Sequence, residues 1–231
     1  MSTNTATLIG ATGLIGNHLL EQLMADSEFE KIRLIVRRPL EINDPGVEIR
    51  VIDFEDQAAF EEAIAGSAVV FCSVGTTQQK VSGDMDAYRK IDYDIPMNAA
   101  LLSKKTGCET FILVSSVGAE SKSRTFYLRL KGEVESHIKK LGFNSLYIMQ
   151  PSMLLGDRKE FRMGELIMQV VMKLVSGILV GNSAKFKPIH ANKVAIAMIN
   201  AAKENKPGVH VFTYHTILDF NFKKSSPHPV Q

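Results

Sequence analysis

Tyr127 and Lys131 stand four residues apart in the string Tyr127-Leu128-Arg129-Leu130-Lys131, inside a stretch (residues 127–141) whose apolar spacing predicts a helix. Side chains at i and i+4 share one helix face, so the phenol and the ammonium group are neighbours. A free tyrosine, with a pKa near 10, is a poor acid or base at neutral pH. A positive charge beside it favours the phenolate and moves proton transfer towards the working range. Eleven residues before the tyrosine lies Ser116, with Ser115 next to it, at the end of a strand predicted over residues 111–114. A hydroxyl there can hold a carbonyl oxygen by hydrogen bond. Ser116 is the first choice and Ser115 the alternative, since adjacent residues cannot be told apart without the strand's register. An exposed tyrosine and lysine on an amphipathic helix would give the same local spacing. The weight comes from the order of the motifs along the chain.

The first of those motifs is Leu8-Ile9-Gly10-Ala11-Thr12-Gly13-Leu14-Ile15-Gly16. It follows a short apolar strand and opens a helix, the setting in which a glycine pattern of this kind binds a dinucleotide. One of Gly10, Gly13 and Gly16 permits the tight turn, another lets the backbone approach a pyrophosphate, and the third allows helix and strand to pack closely. The helix N-terminus offers unpaired N–H groups to the phosphates. At the end of the second strand an NAD site usually carries an Asp or Glu for the ribose 2′-OH. Arg37 and Arg38 stand there instead, and two guanidinium groups suit a 2′-phosphate, so NADP(H) is expected over NAD(H). Asp53 and Phe54 follow the third strand, where a carboxylate could meet the adenine amino group and a ring could cover the base. Val74 and Gly75 follow the fourth, where a glycine admits the ribose. Both pairs could equally be a helix cap and a turn.

These residues need a frame, and the chain supplies a regular alternation. Apolar strands are predicted over residues 6–9, 32–36, 47–52, 68–72, 111–114 and 145–149. Helices fall after the glycine loop through Met24 and over residues 57–65, 86–105 and 127–141. Continuous apolar strands separated by helices predict an α/β fold, a doubly wound parallel sheet of Rossmann type. The expected organisation is one domain over residues 1–218, with a small substrate-capping portion from about 151 and a patternless, mobile tail over 219–231.

Composition closes off other classes. With 231 residues, 45% hydrophobic, 23% charged and net charge +2, the chain lacks the basic stripe of a nucleic-acid binder. A small molecule is the expected partner, and oligomeric state is left open. Cys72 and Cys108 have no metal-ligand spacing and read as reduced core thiols; no metal is expected. Residues 163–180 are lipophilic, but Glu165, Gln169 and Lys173 interrupt them at spacings of four, predicting an amphipathic helix rather than a membrane span. The short polar start shows no secretory pattern, from which a cytoplasmic location follows.

The chain resembles the short-chain dehydrogenase/reductases, and within them the atypical branch typified by the Tat-interacting oxidoreductase family. The resemblance is carried by Phe71-Cys72-Ser73-Val74-Gly75-Thr76-Thr77, Leu113-Val114-Ser115-Ser116, Phe126 through Glu135 and Leu154-Leu155-Gly156-Asp157-Arg158, and spans residues 7–218. It implies NADPH contacts from Thr12, Gly13, Leu14 and Ile15, from Arg37 and Arg38, and from Val74, Tyr127, Lys131, Leu154 and Arg162. It further implies Tyr127 as proton donor, Lys131 on the nicotinamide ribose and Ser116 on the carbonyl. One departure stands on the substrate side: Gln150-Pro151-Ser152 occupies the place of the usual Arg-Pro-Gly. Three functions follow in order: an NADPH-dependent reductase of a small carbonyl compound, an NADP(H)-binding regulatory sensor, and a nucleotide-sugar epimerase. The last is disfavoured by the short chain after the sixth strand.

Overall fold

The computed structural model describes residues 4–156 and 183–222. The glycine loop and its neighbours are organised by β1 (Thr5–Ile9), β2 (Lys31–Val36) and β3 (Val47–Val51). Beyond them run β4 (Val69–Cys72), β5 (Thr110–Val114) and β6 (Ser145–Met149). A further strand, β9 (Gly208–Phe212), completes a seven-stranded sheet in the order β3-β2-β1-β4-β5-β6-β9. Every pairing is parallel, with Ile9 opposite both Ile35 and Cys72 at the centre. β1, β4 and β6 are buried along their whole length, which is why their sequences are unbroken apolar or small-residue runs rather than alternating ones. A separate pair, β7 (Leu154–Leu155) and β8 (Ile189–His190), sits after β6.

Helices cover both faces. On one face α1 (Leu14–Met24) buries Ile15, Leu19, Leu20 and Leu23 against α6 (Ala191–Glu204), which contributes Val194, Ala195 and Met198. On the other, α2 (Gln57–Ile64), α4 (Ile95–Lys105) and α5 (Phe126–Lys139) enclose Phe60, Ala99, Phe111 and Ile138. The helical stretch expected over 86–105 is not one regular helix. A short α3 (Met85–Arg89) passes through a π-helical turn, Lys90–Asp94, into α4.

The expected fold is therefore present, with differences at its far end. Of the portion from 151, residues 157–182 lie outside the described residues, and with them Arg162 and the helix expected over 163–180. What is described of it belongs to the body of the fold, α6 in the helical layer and β9 in the sheet. Of the tail expected from Asp219, residues 219–222 belong to α7 (Tyr214–Phe222), where Phe220 packs against Phe212 and Asn221 Nδ2 donates to the Lys193 carbonyl at 3.0 Å, and residues 223–231 lie outside the described residues. Both cysteines are buried and unbridged, and burial pushes each thiol up to about 11. No helix among the described residues is long and apolar enough to cross a membrane.

Candidate functional site

Strand order reverses between β1 and β4, and in open parallel sheets the crevice at such a point, outside the carboxyl ends of the strands, is where ligands bind. A cleft of about 580 Å³ lies there. Its floor is the glycine loop from Gly10 to Ile15. Gly10 has a φ of +95°, and a Cβ on it would lie 2.8 Å from the Ser73 backbone, so only glycine fits this turn. Gly13 caps α1 and closes the turn through its N–H to the Gly10 carbonyl at 2.9 Å. Gly16 does not line the cleft; a Cβ there would come within 2.0 Å of the Gly10 oxygen, which makes it the helix–strand packing glycine. The first turn of α1 carries no acidic residue, leaving its positive end open to an anion.

The rim is cationic. Arg37 and Arg38 are exposed at the end of β2 and line the cleft together with Lys80, from the short 3₁₀ turn Gln79–Val81. No Asp or Glu among the described residues lines it. Phe54, Val74, Gly75 and Leu154 line it as expected. Asp53 does not: its Oδ1 accepts the Glu55 N–H at 3.0 Å, so this carboxylate stabilises the turn before α2, the plainer of its two readings.

The groups expected to act on a substrate gather just behind the wall formed by Thr76, Ile91 and Val114. They do not themselves line the cleft. Tyr127 and Lys131 share the inner face of α5, as their spacing predicts. Ser116 is buried, its hydroxyl donates to the Val117 carbonyl at 3.4 Å, and it acts to lower the Tyr127 pKa. Ser115 is turned to other work, donating its hydroxyl to Glu135 Oε1 at 2.5 Å. Gln150, where the resemblance implies an arginine, donates to the same buried carboxylate at 2.8 Å. Ser152, in place of the glycine, donates to the Lys187 carbonyl and so latches the segment after β6 to the approach of β8. The start of α5 is fixed by close backbone contact. A Cβ on Gly132 would lie 2.3 Å from Glu120 and Ser121, and the Glu120 N–H donates to the Leu128 carbonyl at 3.0 Å.

Asp92, which sequence reasoning missed, lies at the centre of this group. It occupies the π turn, is 1% exposed, and its Oδ1 stands 2.9 Å from Lys131 Nζ. Its Oδ2 accepts the Thr76 N–H at 2.7 Å, while the Tyr88 hydroxyl donates to the Thr76 carbonyl at 3.2 Å. Burial alone would lower the Lys131 pKa, but attraction to Asp92 and Tyr127 holds it up at about 12. The expected effect of Lys131 on the tyrosine is present in direction but does not prevail. Burial raises the Tyr127 pKa, Lys131 lowers it, Asp92 raises it again, and the balance lies above the ordinary phenol value. Burial is the largest influence, and the Asp92 carboxylate beside Lys131 adds to it by offsetting part of the lysine's pull on the phenol.

A parallel sheet wound in this order, with a glycine turn at its switch point, defines a dinucleotide-binding Rossmann protein. The family model for NAD(P)H-binding proteins matches residues 10–204, and the chain belongs to that family. It is 37% identical to protein HTATIP2 of Rattus norvegicus over 71% of this chain and 69% of that protein. It is 35% identical to the mitochondrial protein FMP52 of Candida glabrata over 98% of this chain and all of that protein. The resemblance to the Tat-interacting family thus holds. Among solved structures, MoeE5 in complex with UDP-glucose and NAD superposes with a TM-score of 0.67 at 14% identity, covering 93% of this chain and 80% of that one. The expectation of a cytoplasmic location does not survive, because FMP52 relatives from several yeasts are mitochondrial proteins. It rested on the missing secretory pattern, which says nothing about import into an organelle by another route. No three His, Cys, Asp or Glu among the described residues gather to hold a metal.

Proposed function

We propose that this protein is an NADPH-dependent reductase of small carbonyl compounds. The supporting observation is one continuous arrangement: a cleft lined by Arg37, Arg38 and Lys80 and, among the described residues, by no carboxylate, whose Thr76 wall is joined through Asp92 to Lys131, four residues after Tyr127 on the same face of α5. The residues fit the cofactor. The loop from Gly10 to Ile15 receives the pyrophosphate, with Thr12, Leu14 and Ile15 around it. Arg37 and Arg38 take the 2′-phosphate, Phe54 the adenine, and Val74, Gly75 and Leu154 the ribose and nicotinamide side. Lys131 serves the nicotinamide ribose.

When bound, the reduced nicotinamide supplies a hydride to the carbonyl carbon. Ser116 orients the carbonyl oxygen. As the C=O π pair moves onto that oxygen, Tyr127 delivers its proton to it, giving an alcohol. The phenolate left behind is neutralised by Lys131 until a solvent proton replaces the one transferred. Ser116 has this role rather than Ser115, whose hydroxyl is committed to Glu135.

Tyr127→Phe keeps the ring's packing and removes only the transferable proton. Turnover on a panel of aldehydes, ketones and quinones is expected to fall by about 10²–10⁴ with NADPH affinity little changed. Ser116→Ala should lower turnover too, and Ser115→Ala far less. Full activity in Tyr127→Phe would defeat the mechanism. Absence of turnover with every compound, joined to NADPH-dependent binding of a protein partner, would make the protein a sensor.

A further inference from the structure

The buried carboxylate of Asp92 has no place in the scheme above, yet it touches both halves of the site. We propose that Asp92 is a positioning residue that clamps the Lys131 ammonium to the Thr76 backbone and keeps the proton on Tyr127, making the site a proton donor suited to carbonyl reduction rather than alcohol oxidation at neutral pH. This rests on the reading of Tyr127 as the proton donor.

The argument begins with placement. A π turn inserts an extra residue into a helix, is rare, and is found frequently at functional sites. Here it brings a carboxylate inward between α3 and α4, where Oδ1 meets Lys131 of α5 and Oδ2 meets the backbone after β4. One side chain therefore spans the cleft wall and the reacting helix. Thr76 is gripped from both sides, by Asp92 at its N–H and Tyr88 at its carbonyl, so the wall cannot shift without moving Lys131.

The consequence is electrostatic. Among the described residues, the groups that act on the Lys131–Tyr127 pair are Asp92 from the π turn, Tyr88 from α3, Cys72 from β4 and Ser116 after β5. Tyr88 and Cys72 are held in their neutral forms by burial. Asp92 is thus the partner that offsets the lysine's charge. With burial as the larger influence and this offset added to it, the phenol keeps its proton through neutral and mildly alkaline pH and can give it to a carbonyl oxygen. Oxidation of an alcohol needs the phenolate to receive the hydroxyl proton, and the same offset moves that form to higher pH. The direction in which a full cell's cofactor pool drives the reaction is unaltered; what changes is the pH at which each direction finds its competent protonation state.

The test follows the phenol itself. Tyrosine ζ-carbon signals are titrated by ¹³C NMR in the substrate-free protein, Tyr127 being assigned as the signal lost in Tyr127→Phe. Asp92→Asn retains an acceptor for the Thr76 N–H and removes only the charge. Its Tyr127 midpoint is expected to fall by at least about one unit, and Asp92→Glu should restore a high midpoint. Lys131→Met, which leaves the carboxylate unopposed, should move the midpoint upward. An unchanged or raised midpoint in a folded Asp92→Asn protein would overturn the proposal. Should Asp92→Asn not fold, a Lys131→Met midpoint at or below wild type would overturn it instead. Because no substrate is involved, this outcome is separate from the turnover test: an inactive protein could still show the shift, and an active one could lack it.

Discussion

The two ends of the central sheet carry similar charges and use them differently. At the amino ends of the strands, cations and carboxylates are matched. Glu48 is held by Lys31 at 2.8 Å, Arg33 at 3.0 Å and Arg50 at 2.5 Å, and Arg33 also donates to the Ala63 and Ala65 carbonyls at the end of α2. Lys104 pairs with Glu109, and Lys203 with Asp26 and Glu28. At the carboxyl ends, Arg37 and Arg38 line the cleft with no described carboxylate on either. A matched cluster fastens strand to helix and has no charge to spare for a ligand. Cations without acids beside them contribute little to the fold and offer their charge to an anion. The contrast separates residues that hold the protein together from residues that wait for something to bind.

The largest effect that would break this contrast is at the cleft. Arg37→Ala/Arg38→Ala should weaken NADPH binding by about 10²–10⁴, from two charge-assisted contacts worth ~1.5–3 kcal/mol each. NADH affinity and the melting temperature should hardly move, as calorimetric titration and thermal unfolding would show. Equal wild-type affinity for the two cofactors would end the assignment of the arginines to a 2′-phosphate.

The reverse pattern is expected at Glu48. Burial there would raise the carboxyl pKa, but hydrogen bonds from Lys31, Arg33 and Arg50 outweigh it and lower the value from 4.5 to about 2. A depressed folded value means stability that is present above the unfolded pKa and is lost as pH falls through the folded one. Glu48→Gln should therefore cost on the order of 3 kcal/mol at most at neutral pH. The gap from wild type should close between about pH 4.5 and 2, with cofactor affinity unchanged. Denaturant unfolding at several pH values reads this directly.

The smallest effect sharpens the comparison at its exposed limit. Lys104 and Glu109 are an exposed pair, and Lys104→Ala should shift the melting temperature by about one degree or less and leave NADPH binding alone.

The parts of this architecture that are written locally could be read from the residues alone. The glycine turn, the arginines after β2 and the Tyr127–Lys131 spacing each lie within a few residues, and the buried strands are continuous apolar runs. Contacts between distant segments could not be read in that way. Whether Ser115 or Ser116 faces the tyrosine depends on where Glu135 sits across the fold. Asp92 is 39 residues before Lys131 in sequence, and its inward course depends on a π turn that a regular helical period does not describe. A signal did exist, since an acid three and seven positions before Ile95 and Ala99 falls on the apolar side of that helix. β9 was missed because Gly208–Phe212 is short and lies at the sheet edge, with Val209 and Val211 exposed and little burial pattern to mark it.

The pairing of α1 with α6 sets a timetable for the chain as it is made. Gln22 on α1 and Asn192 on α6 are 170 positions apart and 3.3 Å distant in the finished protein. At about 5–20 residues per second, a ribosome needs roughly ten to thirty seconds to travel between them. Through that interval Leu19, Leu20 and Leu23 have no native cover on the α6 side, although the glycine loop ahead of them has long emerged. A fragment ending before residue 191 thus leaves that apolar face of α1 uncovered, with the nucleotide-binding turn present in sequence but its helix still waiting for the partner that seats it.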